Sequence, residues 1–163
     1  MRILRGAVAG ALAGLVGAYA MERFQAWWDE ADRRAKPTRV AHAAKDEPAT
    51  VKAAHRIAER VLHAELPDEA KPIAGEAVHY GMGMASGALY GALAEVVAPV
   101  RAGNGLLFGA ALWWLADETA VPALRLSRRA SAYPPSKHAS ALAAHLVYGF
   151  VAEAVRRVIR LVP

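Results

Sequence analysis

Glu76 and His79 lie three residues apart, which puts a carboxylate and an imidazole on one face of a helix. Di-iron carboxylate bundles use two such pairs on separate helices, completed by one glutamate from each of two others. Glu22 and either Asp117 or Glu118 would supply the lone carboxylates, but no other histidine has a glutamate three positions before it. The missing second pair argues against a di-metal oxidase. It leaves a single-metal site or a protonatable cluster of Glu22, Glu76, His79, Asp117, Glu118 and His138. Histidine titrates near neutrality, so a cluster of this kind responds to acid. A second group of acids, Glu95 and Glu153, is expected at the opposite end of the helices, beside Arg5, Arg101, Arg156 and Arg157. Glu153 and Arg157 are four apart, the spacing of a helical ion pair, and salt bridging is the expected role there. His145, beside Gly149, reads as a hydrogen-bonded packing histidine. No catalytic residue and no cofactor is expected.

These side chains need helices to position them. The chain has 163 residues, 55% hydrophobic and only 7% aromatic, and carries a formal charge of +5. Its length suits one domain over 1–163. The absence of cysteine excludes a disulfide scaffold, a thiolate metal site and a cysteine nucleophile. Alanine and glycine dominate, which favours helices over strands. Basic residues are not interleaved with aromatics, so nucleic acid is not an expected partner.

Four apolar stretches give expected membrane spans at about 3–28, 73–99, 103–124 and 138–161. None is an uninterrupted apolar run of about 20 residues. Each suffices if flanking Arg and Lys snorkel and Trp27-Trp28 and Trp113-Trp114 lie in the interface. Apolar residues all round these helices argue against a soluble four-helix bundle, which needs a polar outer face. The first stretch ends in Ala18-Tyr19-Ala20, as a cleaved signal does, but its column of glycines favours a retained helix. The expected connector, 29–72, holds nine Lys/Arg and nine acids and is punctuated by Pro37 and Pro48. Within it, Val51, Ala54, Ile57, Ala58, Val61 and Leu62 form one stripe of an amphipathic helix that either lies on the membrane surface or caps the bundle. Nine Lys/Arg in this loop and four in the next exceed six on the terminal side, which places the large loops in the cytoplasm.

In lipid, small residues let helix backbones approach closely. They recur every four residues as Gly6-Gly10-Gly14, Gly83-Gly87-Gly91 and Gly105-Gly109, and as Ala141-His145-Gly149. Tyr90-Gly91-Ala92-Leu93-Ala94-Glu95 reappears as Tyr148-Gly149-Phe150-Val151-Ala152-Glu153, which implies two related hairpins. More weakly, Gly14, Tyr19 and Glu22 match Gly109, Trp114 and Asp117. The expected fold is thus an all-α, four-span transmembrane bundle of two hairpins with an amphipathic helix in the first loop.

The stretches His79-Tyr80-Gly81-Met82-Gly83 to Gly87-Ala88-Leu89-Tyr90-Gly91 and Gly105-Leu106-Leu107-Phe108-Gly109 to Trp113-Trp114-Leu115-Ala116-Asp117-Glu118 and Pro122 carry a resemblance. They resemble uncharacterised bacterial inner-membrane proteins of the YagU-like kind, mostly over residues 73–155. The resemblance implies a small multi-pass inner-membrane protein, of unknown activity, with a link to acid tolerance. It supplies no catalytic residues. The leading expectation is a non-enzymatic stress factor or accessory subunit, with the bilayer, and further membrane subunits or a second copy, as partners. The rivals are proton or metal-ion transport along a polar path, and a membrane-bound metal-dependent oxidoreductase.

Overall fold

The structure, a computed structural model, describes residues 1–35 and 47–161. Residues 36–46 of the expected connector, with Pro37, and residues 162–163 lie outside that set. The described elements are helical throughout. Helix α1 (Arg2–Ala35) precedes the short α2 (Ala49–Ile57), which runs on through a π-helical turn, Ala58–Leu62. Then come α3 (Lys71–Ala94), α4 (Leu106–Trp113), a π-helical turn over Trp114–Ala120, α5 (Val121–Ala123) and α6 (Pro135–Leu161). From α4 to α5 the chain is one rod, helical at both junctions.

Prolines explain where these helices start and where one widens. Pro72 and Pro135 sit in first turns, where the missing N–H would have had no partner. Pro122 instead lies inside the α4–α5 rod, where it removes a donor and its ring presses on the carbonyl one turn back. The π-helical turn directly precedes it and takes up that strain; the Thr119 hydroxyl caps the Trp114 carbonyl at 2.9 Å. The link from α3 to α4 bends through Gly103, Asn104 and Gly105, all at positive φ.

Helix α1 lies antiparallel to both α3 and α6, and α4 packs antiparallel against α6, with Phe108 reaching Tyr90 of α3. The α1–α3 contact is made backbone to backbone. A Cβ on Gly10 would fall on the carbonyl oxygen of Gly87, one on Gly14 on that of Gly83, and one on Gly91 on that of Gly6. The α4–α6 contact repeats this: Gly105 faces the carbonyl of Gly149, and Gly109 that of His145. Gly91 therefore corresponds to Gly149, Gly6 to Gly105 and Gly10 to Gly109. The expected match of Gly14 to Gly109 is one helical turn out of register, because an alanine-glycine helix offers a small residue at nearly every turn to align on.

The interior is filled by small and polar groups. Ala13, Ala144 and Ala152 are fully buried, and the largest fully buried side chains are Tyr90, Tyr148 and Glu153. Tyr148 reaches from α6 to α3, where its hydroxyl donates to the Gly83 carbonyl at 2.7 Å and lies 2.9 Å from the Ser86 hydroxyl. Large apolar side chains point outward instead: Leu4, Val8 and Leu12 on α1, Met82 and Leu89 on α3, Leu107 and Leu115 on the α4–α5 rod, Phe150 and Val158 on α6.

Among the described residues one helix, α1, is by itself long and apolar enough to cross a membrane. The other expected spans fall short of that measure. Helix α3 ends at Ala94 and carries Glu76 and His79, the α4–α5 rod carries Asp117 and Glu118, and α6 carries two histidines, Glu153 and three arginines. Helix α2 divides its expected stripe. Val51, Ala54 and Ala58 are buried, with Val51 against Gly75 of α3, while Ile57, Val61 and Leu62 face outward. Arg56 ties α2 down by donating to the carbonyls of Leu124 and Arg125.

Candidate functional site

The six residues expected to form one acid–histidine cluster divide between the two hairpins. On the α1–α3 side, Glu22 accepts a hydrogen bond from the Tyr80 hydroxyl and another from Arg23. His79 lies with Nε2 3.2 Å from the Ala18 carbonyl, its ring edge-on to Tyr80. Glu76 is exposed and outside this set. The shared helical face of Glu76 and His79 is therefore not a shared site, because the imidazole turns into the α1 contact and the carboxylate does not. On the α4–α6 side, His138 bridges Glu118, at 2.6 Å from Nδ1, and the Ala130 carbonyl, at 3.1 Å from Nε2. Both ring nitrogens face acceptors, which both are satisfied only by the imidazolium.

Asp117 completes this second group. Its carboxylate lies 3.7 Å from Nδ1 of His145, a contact too long for a hydrogen bond. That same nitrogen is 3.0 Å from the Ala141 carbonyl, one turn back on α6. His145 is buried, so packing is its first role, and its approach to Asp117 was not legible from its spacing to Gly149. Among the described residues no three His, Asp or Glu side chains stand close enough together to hold a metal ion.

The π-helical turn sets this arrangement. Consecutive residues on an α-helix diverge by 100°, yet Asp117 and Glu118 both reach α6, at His145 and His138, two turns apart. The wider turn brings the two carboxylates onto one side, and such insertions frequently mark functional sites. Beside them opens a cavity of about 640 Å³, bounded by the ends of α1 and the α4–α5 rod and the starts of α2 and α6. Trp28 and Tyr133 line it, with Asp117, Glu118 and His138.

The opposite end of the bundle is closed by charge. Glu153, 1% exposed, accepts from Arg156 at 2.7 and 3.0 Å, from Arg157 at 2.7 Å and from the Tyr90 hydroxyl at 2.8 Å. Glu95 accepts from Arg160 at 2.9 Å and from Arg2 at 3.2 Å. Arg101 is exposed and outside this network. Arg2 and Arg160 join it from the two chain ends, and sequence spacing gave no sign of them. Tyr90 was legible only as part of the repeated Tyr-Gly-x-x-Ala-Glu. At the start of α3, the ammonium of Lys71 bridges Asp68 at 2.8 Å and Glu47 at 3.3 Å, and holds the Asp68 carboxyl below its usual range.

A family model described as "Protein of unknown function (DUF1440)" matches residues 35–154. The match takes in most of the connector, α3, the α4–α5 rod and α6 as far as residue 154, and so extends further toward the N-terminus than the glycine motifs alone. No curated protein and no solved structure matches the chain.

Proposed function

The chain belongs to the DUF1440 family of unknown function, and from that premise we propose that it is a non-enzymatic, multi-pass protein of the bacterial inner membrane. Its four long rods are the spans, and it acts in acid tolerance as a stress factor or accessory subunit. The observation that carries this reading is the inverted burial. Tyr90, Tyr148 and Glu153 are enclosed, while Leu4, Val8, Leu12, Met82, Leu89, Leu107 and Phe150 face outward. In water such a surface is costly; in lipid it is the favourable one, and glycine contacts with interhelical hydrogen bonds hold the bundle together. Helix α1 is on the order of 50 Å long at 1.5 Å per residue, more than a hydrocarbon core of roughly 30 Å. Its excess carries Trp27 and Trp28, each in a tilted ring contact with Phe24 at 5.7–5.8 Å, which suits an interfacial belt.

The same geometry weighs against the rival readings. Glu153, Glu95, Glu22 and Glu118 each have a donor, as a structural role requires, and the Glu/Arg network with the glycine contacts closes the end away from the cavity. The histidine–carboxylate contacts at the cavity are the acid-responsive part, because imidazole is the side chain that changes charge between neutral and mildly acidic pH.

Fractionation and acid challenge test the proposal together. Expressed in a bacterium, the chain is expected in the membrane pellet, to resist alkaline carbonate and to need detergent for release. It is also expected to raise survival after acid shock, with Glu118→Gln losing that gain. Recovery in the soluble fraction overturns the membrane assignment. Membrane insertion without any effect on survival overturns the acid role alone.

A further inference from the structure

We infer that the cavity at the large-loop end is a binding site for a small organic cation, a protonated or quaternary amine on an apolar body. Its volume, about 640 Å³, lies in the range of small-molecule pockets. The walls supply both halves of such a ligand's chemistry. Trp28 and Tyr133 present aromatic rings, whose faces attract cations. Asp117 presents a carboxylate with no hydrogen-bond donor among the described residues. Its nearest basic group, His145, spends the facing nitrogen on the Ala141 carbonyl.

The other charges at the cavity are already matched. Glu118 is bonded to His138, and Lys137 lies 3.9 Å from Asp29 at the exposed rim. Arg128 is exposed and has an interaction of its own. Asp117 is the carboxylate left for a ligand, and its side chain is 39% exposed, so it is open to one. An anionic ligand would instead meet two carboxylates, Asp117 and Glu118, at the π-helical turn. The inference goes beyond the membrane assignment and does not need it, since nothing in this cavity depends on the solvent around the rods.

Titration calorimetry on the full chain in detergent tests it with a matched pair of probes, benzyltrimethylammonium and benzylsulfonate. The cation is expected to bind saturably at one site and the sulfonate not to bind. Trp28→Leu is expected to weaken the cation roughly tenfold, the scale of a partly desolvated cation–π contact, and Asp117→Asn, which removes the counter-charge, is expected to weaken it as well. Should Asp117→Asn fail to fold, Trp28→Leu carries the comparison. Absence of saturable heat with the cation, equal binding of the sulfonate, or undiminished binding in the folded variants overturns the site. Failure here leaves fractionation into the membrane untouched, so the two proposals fail separately.

Discussion

The two hairpins start from the same design and diverge at one turn. In the first, α1 and α3 touch at Gly6 and Gly91, at Gly10 and Gly87, and at Gly14 and Gly83. In the second, α4 and α6 touch at Gly105 and Gly149, and at Gly109 and His145, in the same register. There the correspondence of small residues ends. Where the first hairpin has Gly14, Gly83 and Gly87, the second has Trp113, Ala141 and His145. A helix pair with tryptophan and histidine at these positions lacks the small residues that let glycine backbones approach closely. Just beyond these residues lie the π-helical turn, the carboxylates and the cavity. One hairpin is closed along its length as a scaffold; the other is closed at one end and open at the end that carries the chemistry.

The repeated carboxylates give the largest test of this comparison. Glu95 and Glu153 occupy equivalent positions, but Glu153 also receives the Tyr90 hydroxyl of the other hairpin and the buried Arg156. Removing one partner of a buried ion pair costs about 3–5 kcal/mol, because the other charge is left uncompensated. Glu153→Gln is therefore expected to lose stability on that scale, read as thermal unfolding by tryptophan fluorescence in detergent. Glu95→Gln is expected to lose less, since its hydrogen-bonding partners Arg2 and Arg160 are 73% and 29% exposed and can be rehydrated, and the buried Arg156 stands 3.8 Å from it while keeping its closer bond to Glu153. Equal losses would remove the distinction between a carboxylate with a buried partner at hydrogen-bond distance and one held mainly by exposed arginines.

How much of this was legible in the sequence depends on the range of the interaction. The all-helical fold followed from composition, and the pairing of hairpins from Tyr90-Gly91 and Tyr148-Gly149 with their trailing glutamates. The ion pair of Glu153 with Arg157 followed from four-residue spacing. What was not legible lies across helices. Glu76 and His79 share a face of α3, yet the close contact with α1 commits the imidazole to the Ala18 carbonyl and leaves the carboxylate outside. The pairing of Asp117 with His145 and of Glu118 with His138 depends on the wider turn before Pro122. No helical periodicity of 3.6 encodes that insertion.

A smaller effect is expected where the hairpins agree. A Cβ on Gly10 would fall on the Gly87 carbonyl and lie 2.8 Å from the Gly91 Cα; one on Gly109 would fall on the His145 carbonyl and lie 3.2 Å from the Leu146 Cα. In both places the obstacle is backbone, which cannot rotate away. Gly10→Ala and Gly109→Ala are each expected to destabilise by about 1–3 kcal/mol, the usual range for overpacking. The same thermal unfolding measures both. A loss at Gly10 with none at Gly109 would mean that the second hairpin is loose even at its glycine end, and the comparison would have to be redrawn.

The smallest effect has the opposite sign and isolates contact from conformation. Gly81 stands on α3 among the same glycines, yet a Cβ there meets no atom within 4 Å. If the glycines of this helix serve packing, the one without a neighbour has no steric reason to resist alanine. Glycine inside a helix costs roughly 0.5–1 kcal/mol relative to alanine through the backbone freedom it gives up on folding. Gly81→Ala is accordingly expected to raise the unfolding temperature slightly, while Gly87→Ala, on the contact face, lowers it. Should Gly81→Ala destabilise as strongly as Gly87→Ala, the glycines would be acting through backbone flexibility along α3, not through the closeness of α1. The contrast drawn between a closed and an open hairpin would then lose its physical cause.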